Sequence, residues 1–354
     1  MTSGRSEQQA LQRRIYGAAD DAGIKTAWLD SLARIAKARV CVLAVPSDTG
    51  AGLVRGAAFG PAALRTALLS AAPDFSSRAT RAGVVDVGDV FVVPQLLHDD
   101  MLSRSQIDAT RDVLYPSVAD DIRCGLPVSP LSMAERAAAE ILTINPRIRF
   151  LLLGGDHSVT WPIVSALAAS RSKPFAIVHV DAHTDLMADR LGVKYCFATW
   201  AYHANASIGR SGRLIQVGIR ASGRPRSHWE STLGVRQFWA SDVRERGEAA
   251  IVDDVLLHLR ALGISDVFFS NDIDGTDAAL APATGAPEPD GLSESFVHTL
   301  IRRLGDEVAL IGADLVEVAP PVGDPAGARK TVELGARYLL ASLTALTGSV
   351  EFAI

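Results

Sequence analysis

Apolar residues in this chain occur in short continuous runs, and between the runs apolar positions recur with a helical period. The runs, rich in Val, Ile, Leu and Phe, predict strands at 38–46, 83–90, 149–156, 175–183, 213–220, 266–274 and 308–318. The helical period predicts helices at 61–72, 131–144, 159–170, 247–263, 293–305 and 330–346. Continuous apolar strands are typical of a sheet covered on both faces. The pattern therefore predicts an α/β fold, a three-layer α/β/α arrangement around a mainly parallel sheet.

No linker, repeat or low-complexity segment divides the chain. We expect a helical N-terminal extension at 1–37 and a single α/β domain at 38–354. The stretch 95–128 predicts loop and short helix that elaborate this domain.

Composition excludes several classes of function. The 354 residues carry a net charge of −5, which gives no electrostatic reason to expect binding to nucleic acid or to an anionic membrane. The three cysteines are far apart, so neither a disulfide framework nor a thiolate metal site is expected. No apolar N-terminal signal segment and no stretch of about 20 apolar residues occur. We expect a soluble, cytoplasmic protein.

Two polar strings follow predicted strands and carry the candidate chemistry. DAHTD spans Asp181–Asp185 and NDID spans Asn271–Asp274. Alternate residues of an extended chain project from one face, so Asp181, His183 and Asp185 point the same way, as do Asp272 and Asp274. Such buried carboxylates are costly unless cations neutralise them. The strings predict a metal site.

A third string, GGDHS, ends another strand and adds His157. The four aspartates contribute −4, which two divalent cations balance if both histidines bind as neutral imidazoles. This oxygen-rich set without thiolate suits Mn²⁺ best, with Ni²⁺, Co²⁺, Fe²⁺ or Zn²⁺ as alternatives. Taken singly, DAHTD and GGDHS also fit turns and NDID also fits a solvated loop, and Asp156 or Ser158 also fits a helix cap.

GGDHS, DAHTD, SNDIDGTDAALAPATGAPEPDGL and VEVAPP, in this order, resemble the arginase/agmatinase (ureohydrolase) family, as do VPSDTGAGLVRGAAFGPAALR and DVGDV nearer the N-terminus. The resemblance runs from about residue 40 to residue 350 and is closer to agmatinase-like members than to the arginases themselves. It implies an arginase-like fold and a homo-oligomer, trimer or hexamer.

The resemblance also implies the roles of individual residues. His157, Asp181, Asp185 and Asp272 would hold one Mn²⁺, and Asp181, His183, Asp272 and Asp274 the second. Glu317 would pair with a substrate guanidinium, and Asp277 matches an outer acidic position. A metal-bridging hydroxide would attack the amidine carbon and an amine would leave, with Asp274 accepting the hydroxide proton.

The loop after DAHTD departs from the family pattern. Phe197 stands where ureohydrolases usually carry a histidine that shuttles a proton to the leaving amine. His203 is either a substitute proton donor or a structural helix residue. Tyr195, Phe197 and Trp200 either line an apolar pocket or pack the loop onto the domain. His179 either supports the site or is a core histidine.

The sequence thus predicts a binuclear metal-dependent hydrolase of C–N bonds in a small linear amidine. A guanidino compound, agmatine-like or a guanidino acid, releasing urea is the leading substrate. The alternatives are a formimino-type or other non-guanidine amidine, and a metal-binding paralogue with little catalysis.

Overall fold

One parallel sheet forms the centre of the protein, as described by a computed structural model for residues 3–72 and 74–352. Its strands are β1 (Val40–Val45), β2 (Val84–Asp89), β3 (Arg149–Gly154), β4 (Ala176–Val180), β5 (Leu214–Ile219), β6 (Arg236–Trp239), β7 (Asp266–Asn271) and β8 (Ala309–Leu315). Their order across the sheet is β2-β1-β3-β8-β7-β4-β5-β6, and all their pairings are parallel.

Helices cover both faces of this sheet. They are α1 (Ser3–Tyr16), α2 (Asp21–Arg34), α3 (Gly60–Ala71), α4 (Phe75–Arg81), α5 (Arg104–Leu114), α6 (Asp120–Arg123), α7 (Pro130–Ile144), α8 (Thr160–Ser170), α9 (Trp200–Ser207), α10 (Arg226–Leu233), α11 (Ala240–Arg246), α12 (Glu248–Ala261), α13 (Glu294–Glu307) and α14 (Pro325–Thr347). None of the described helices is long and apolar enough to span a bilayer.

The two faces of the sheet bury separate apolar clusters. On β1, Val40 and Val42 belong to the cluster formed with α3, α12, α13 and α14. Cys41 and Leu43 belong to the cluster formed with α7, α8 and α9. Burial on both sides explains why the strands read as continuous apolar runs, and it confirms the predicted three-layer α/β/α fold.

All seven predicted strands are present, and one further strand was not predicted. The edge strand β6 has only four residues, Arg236–Trp239, and two of them are polar, so it does not form an apolar run. The stretch 95–128 contains α5 and α6, as expected of loop with short helices. Helices α1 and α2 lie within the predicted extension at 1–37. Residues 1, 2, 73, 353 and 354 of the two predicted segments lie outside the described residues.

Candidate metal centre

The predicted site residues follow four strands that are neighbours in the middle of the sheet: β3, β8, β7 and β4. They are His157 after β3, Glu317 after β8, Asp272 and Asp274 after β7, and Asp181, His183 and Asp185 after β4. Parallel neighbours end at the same edge of a sheet, and ligands bind beyond that edge in open α/β folds. The topology therefore brings these seven side chains together.

Three carboxylates surround one imidazole nitrogen. Nδ1 of His157 lies 3.0 Å from Oδ2 of Asp272, 3.2 Å from Oδ2 of Asp181 and 3.4 Å from Oδ2 of Asp185. All four side chains are buried. These four donor atoms form the first of two ligand groups.

The hydrogen bond of the other ring nitrogen of His157 indicates where the ring proton lies. Nε2 lies 2.9 Å from Oγ of Ser270, whose hydroxyl donates to the carboxylate of Asp314 at 3.0 Å. Ser270 therefore accepts the Nε2 proton, which leaves Nδ1, on the side of the carboxylates, as the nitrogen available to a metal ion. Ser270 was not predicted, although it lies two residues before Asp272 on the same strand face.

A second group of ligand atoms surrounds His183. Nδ1 of His183 lies 3.2 Å from Oδ2 of Asp274 and 3.4 Å from Oδ1 of Asp181. Asp181 thus contributes one oxygen to each group. His183 is the most exposed of the candidate ligands, at 28%, and its Nε2 lies 3.8 Å from Oε1 of Glu288.

Asp185 occupies a backbone conformation that side chains seldom adopt. Its φ is +51°, in the left-handed region, and its Oδ2 accepts a 2.9 Å hydrogen bond from the indole of Trp200. The ring of Trp200 stacks on His157 with centroids 4.4 Å apart. Trp200 is buried and contacts two candidate ligands, so it orients the site rather than forming the wall of an open pocket.

The electrostatics of the cluster favour bound cations. Burial, together with Asp274 and Asp181, raises the pKa of Asp272 well above its usual value, and burial and Asp181 do the same to Asp185. Although burial opposes it, Asp181 and Asp274 raise the pKa of His183 to about 12. Raised pKa values mean that, without cations, protons offset the charge of the carboxylates. Divalent cations would offset the same charge, so the residues fit a metal centre.

Glu317 lies beside the cluster without belonging to either group. Its Oε1 accepts a 2.9 Å hydrogen bond from the backbone N–H of His157. Its φ is +61°, again left-handed, and the side chain is buried. Burial and the neighbouring Asp156 raise the pKa of Glu317 well above its usual value. A cation placed against this carboxylate would stabilise its charged form.

The loop carrying Phe197 closes against another loop at the same edge. The backbone N–H of Phe197 donates to Gly50 O at 3.1 Å, and its ring packs on Gly52, where a Cβ would lie 3.3 Å from the ring. The guanidinium carbon of Arg190 lies 5.1 Å from the ring centroid. Phe197 therefore joins the two loops and supports an exposed arginine.

His203 lies on α9 and contacts the start of this loop and neighbouring aromatic rings. Its Nε2 is 2.9 Å from Lys194 O, and its ring packs on Tyr195, Tyr202 and Trp161. The structure gives it no hydrogen bond or ion pair with the acidic cluster among the described residues. Asp277 also lies outside the cluster and accepts from the backbone of Ala279 and Gly291.

Comparison with known proteins agrees with this architecture. The sequence model of the arginase family matches residues 38–344. Guanidinobutyrase of Pseudomonas aeruginosa is 31% identical over 316 residues, which are 87% of this chain and 86% of that protein. A hypothetical agmatinase from Burkholderia thailandensis has a similar structure, with a TM-score of 0.67 and 27% identity over 89% of this chain and 87% of that one.

Proclavaminate amidino hydrolase from Streptomyces clavuligerus also has this fold, with a TM-score of 0.65 and 26% identity over 88% of this chain and 93% of that one. The family match covers most of the chain, and the fold and the carboxylate-imidazole cluster agree with it. This chain belongs to the arginase family and is a metal-dependent amidinohydrolase.

Proposed function

We propose that this protein hydrolyses the C–N bond of a small guanidino compound, agmatine-like or a guanidino acid, and releases urea. The observation that carries the proposal is the pair of ligand groups sharing Asp181, with Glu317 buried beside them. The guanidinobutyrase and agmatinase relatives support the substrate class.

Six side chains would hold two divalent cations. His157, Asp181, Asp185 and Asp272 would hold one, and Asp181, His183, Asp272 and Asp274 would hold the other. The oxygen-rich donor set with two imidazoles favours Mn²⁺. The cations would supply a water of lowered pKa as nucleophile and neutralise the carboxylates.

Two carboxylates would act on the substrate and on the attacking water. Glu317 is an acceptor suited to the forked donors of a guanidinium, and its bond to the His157 backbone fixes its orientation. Asp274 would accept the proton of the attacking water, because its Oδ1 is already held by the backbone N–H of Ala182 at 3.1 Å while Oδ2 faces His183. A catalytic role for His203 stays a prediction.

Phe197 is compatible with two alternatives. A side chain without an ionisable proton at this position leaves the departing amine without a protein acid there, which is compatible with a formimino-type or other non-guanidine amidine and with a paralogue with little turnover. The products separate these cases, because formimino hydrolysis releases formamide and guanidino hydrolysis releases urea.

The test is reconstitution of metal-free protein with Mn²⁺, Ni²⁺, Co²⁺ or Zn²⁺, followed by urea detection over agmatine, arginine, guanidinobutyrate and guanidine, and by formamide detection over a formimino compound. We expect about two metal equivalents and urea from at least one substrate. The Asp272→Asn/Asp274→Asn variant serves as the metal-deficient control. Less than one equivalent of metal, or no urea from any substrate, would overturn the proposal.

A further inference from the structure

A file of buried polar side chains leads away from the metal centre across three neighbouring strands, β4, β5 and β6. It consists of His179, Gln216, Gln237 and Trp239. The first three are completely buried, so each unpaired polar atom among them would be costly. None of these four residues is among the six proposed metal ligands, so the metal centre alone does not explain them.

The outer end of the file fixes the direction of its hydrogen bonds. An indole N–H can only donate, so Oε1 of Gln237 must face Trp239 at 2.9 Å. The amide nitrogen of Gln237 then donates to Oε1 of Gln216 at 2.8 Å. The amide nitrogen of Gln216 consequently points inward, where it lies 2.6 Å from Thr184 O and 3.0 Å from Nδ1 of His179.

The same logic determines the protonation of His179. Because Gln216 donates to it, Nδ1 is the acceptor and the ring proton sits on Nε2. Nε2 lies 2.7 Å from Oδ2 of Asp181 and therefore donates to it. His179 lies close enough to the cluster to suggest a ligand, yet the nitrogen that faces the cluster carries a proton.

We propose that Gln216 and His179 are positioning residues that hold the shared ligand Asp181 and thereby set the affinity of the centre for metal. Asp181 contributes one oxygen to each ligand group, so a rotation of its side chain would disturb both. The N–H donated by His179 to Oδ2 restrains this rotation together with the backbone N–H of His183, which donates to Oδ1 at 2.5 Å. This inference rests on the proposed function only in that Asp181 binds metal.

The direct test replaces the donor with an acceptor of the same shape, Gln216→Glu. The carboxylate cannot donate to Nδ1 and accepts from it instead, so Nδ1 gains a proton. His179 then either becomes a cation beside the metal ligands or gives up its Nε2 proton, and in both cases the neutral form that donates to Asp181 is lost. We expect Mn²⁺ affinity, measured by competition with a chelator, to fall about 10–100-fold. Turnover at saturating Mn²⁺ should fall less than affinity does.

Two companion variants and a spectroscopic measurement sharpen the test. Gln106→Glu on the surface helix α5 makes the same chemical change within a capping box, which accepts either residue, and should leave Mn²⁺ affinity unchanged. Trp239→Phe removes the donor that orients the file and should lower affinity less than Gln216→Glu. Long-range ¹H–¹⁵N NMR of the metal-free protein should show His179 protonated at Nε2 alone in the wild type and protonated at Nδ1 in Gln216→Glu.

The outcomes separate this inference from the proposed function. Unchanged Mn²⁺ affinity in a folded Gln216→Glu variant, or a wild-type His179 protonated at Nδ1, would overturn the inference. If the wild type binds no Mn²⁺, the proposed function fails and so does the positioning role, whereas the NMR measurement still decides the direction of the file.

Discussion

The backbone N–H of His157 donates a 2.9 Å hydrogen bond to Oε1 of Glu317, and the backbone N–H of Glu317 donates to Gly155 O at 2.8 Å. The ends of the neighbouring strands β3 and β8 are thereby tied together at the point where one presents a candidate ligand and the other a carboxylate. The proposed substrate anchor and the candidate metal centre consequently share one support.

Glu317→Gln tests this division of roles. Glutamine keeps an acceptor for the His157 N–H but loses the charge that a guanidinium recognises. We expect kcat/KM for the guanidino substrate to fall about 10–100-fold, in line with about 1.5–3 kcal/mol for a charged hydrogen bond, with metal content unchanged. Urea release and metal analysis provide the two measurements. Loss of metal in this variant would show that Glu317 acts on the centre instead.

Trp200→Phe tests whether the indole holds Asp185. The phenyl ring can still stack on His157, but the hydrogen bond to Asp185 is lost. Since the partners of metal ligands are typically worth 10–100-fold in affinity, we expect a loss of about this size in a Mn²⁺ titration. Trp229→Phe on helix α10 removes an indole hydrogen bond to Ser222; it is the matched control and should bind Mn²⁺ normally.

The sequence predicts that the site residues cluster, because this prediction requires only the positions of the strand ends and a parallel sheet. DAHTD and NDID follow apolar runs, and in a parallel sheet such ends meet at one edge. Trp200 and Gln216 do not follow a central strand: Trp200 lies on helix α9 and Gln216 lies on strand β5. Their position in the sequence therefore does not indicate that they contact the site. Their contacts depend on how loops and strands approach in three dimensions.

Backbone strain at the site also escapes sequence analysis. Asp185 and Glu317 have φ values of +51° and +61°, which aspartate and glutamate seldom adopt. The surroundings impose them: the indole of Trp200 holds Asp185, and the strand ends hold Glu317. No local pattern of apolar and polar residues predicts such positions, whereas the Val- and Leu-rich strands were predicted because burial on both faces determines their composition.

Phe197→His restores the histidine that ureohydrolases usually carry in this loop. If a missing proton donor limits turnover, we expect a rise in kcat for a guanidino substrate, within the about 10²–10⁴-fold typical of general acid catalysis. The rate of urea release measures it. His203→Ala is the companion variant and should keep wild-type activity, because His203 bonds to Lys194 O. An unchanged Phe197→His variant beside an inactive His203→Ala variant would identify His203 as the acid.

Arg190 should influence the choice between anionic and cationic substrates. Its guanidinium lies over Phe197, and no described carboxylate forms an ion pair with it. We expect Arg190→Met to lower the ratio of kcat/KM for guanidinobutyrate to that for agmatine about two- to fivefold, as for an exposed charge pair. Arg302→Met is the control, since Arg302 lies near the end of α13 that leads into β8, away from the carboxyl edge. An unchanged ratio would mean that Arg190 does not sense substrate charge.

Asp266, at the opposite end of β7, should govern part of the acid stability of the fold. Burial acts to raise its pKa, but Lys173, 2.8 Å from Oδ1, and Arg171 lower it overall. A carboxyl whose folded pKa is depressed contributes stability above its unfolded pKa of about 3.9, and this contribution is lost as pH falls through the folded value.

Asp266→Asn should therefore lower the free energy of unfolding at pH 7 by about 1–2 kcal/mol and should have progressively less effect below about pH 4. Urea denaturation from pH 7 to pH 3 measures both. Asp112→Asn is the control, because Asp112 is 68% exposed and lies 3.5 Å from Arg123 at the surface. A loss of stability in Asp266→Asn that stays constant across this pH range would mean that the carboxylate contributes by packing and not by its charge.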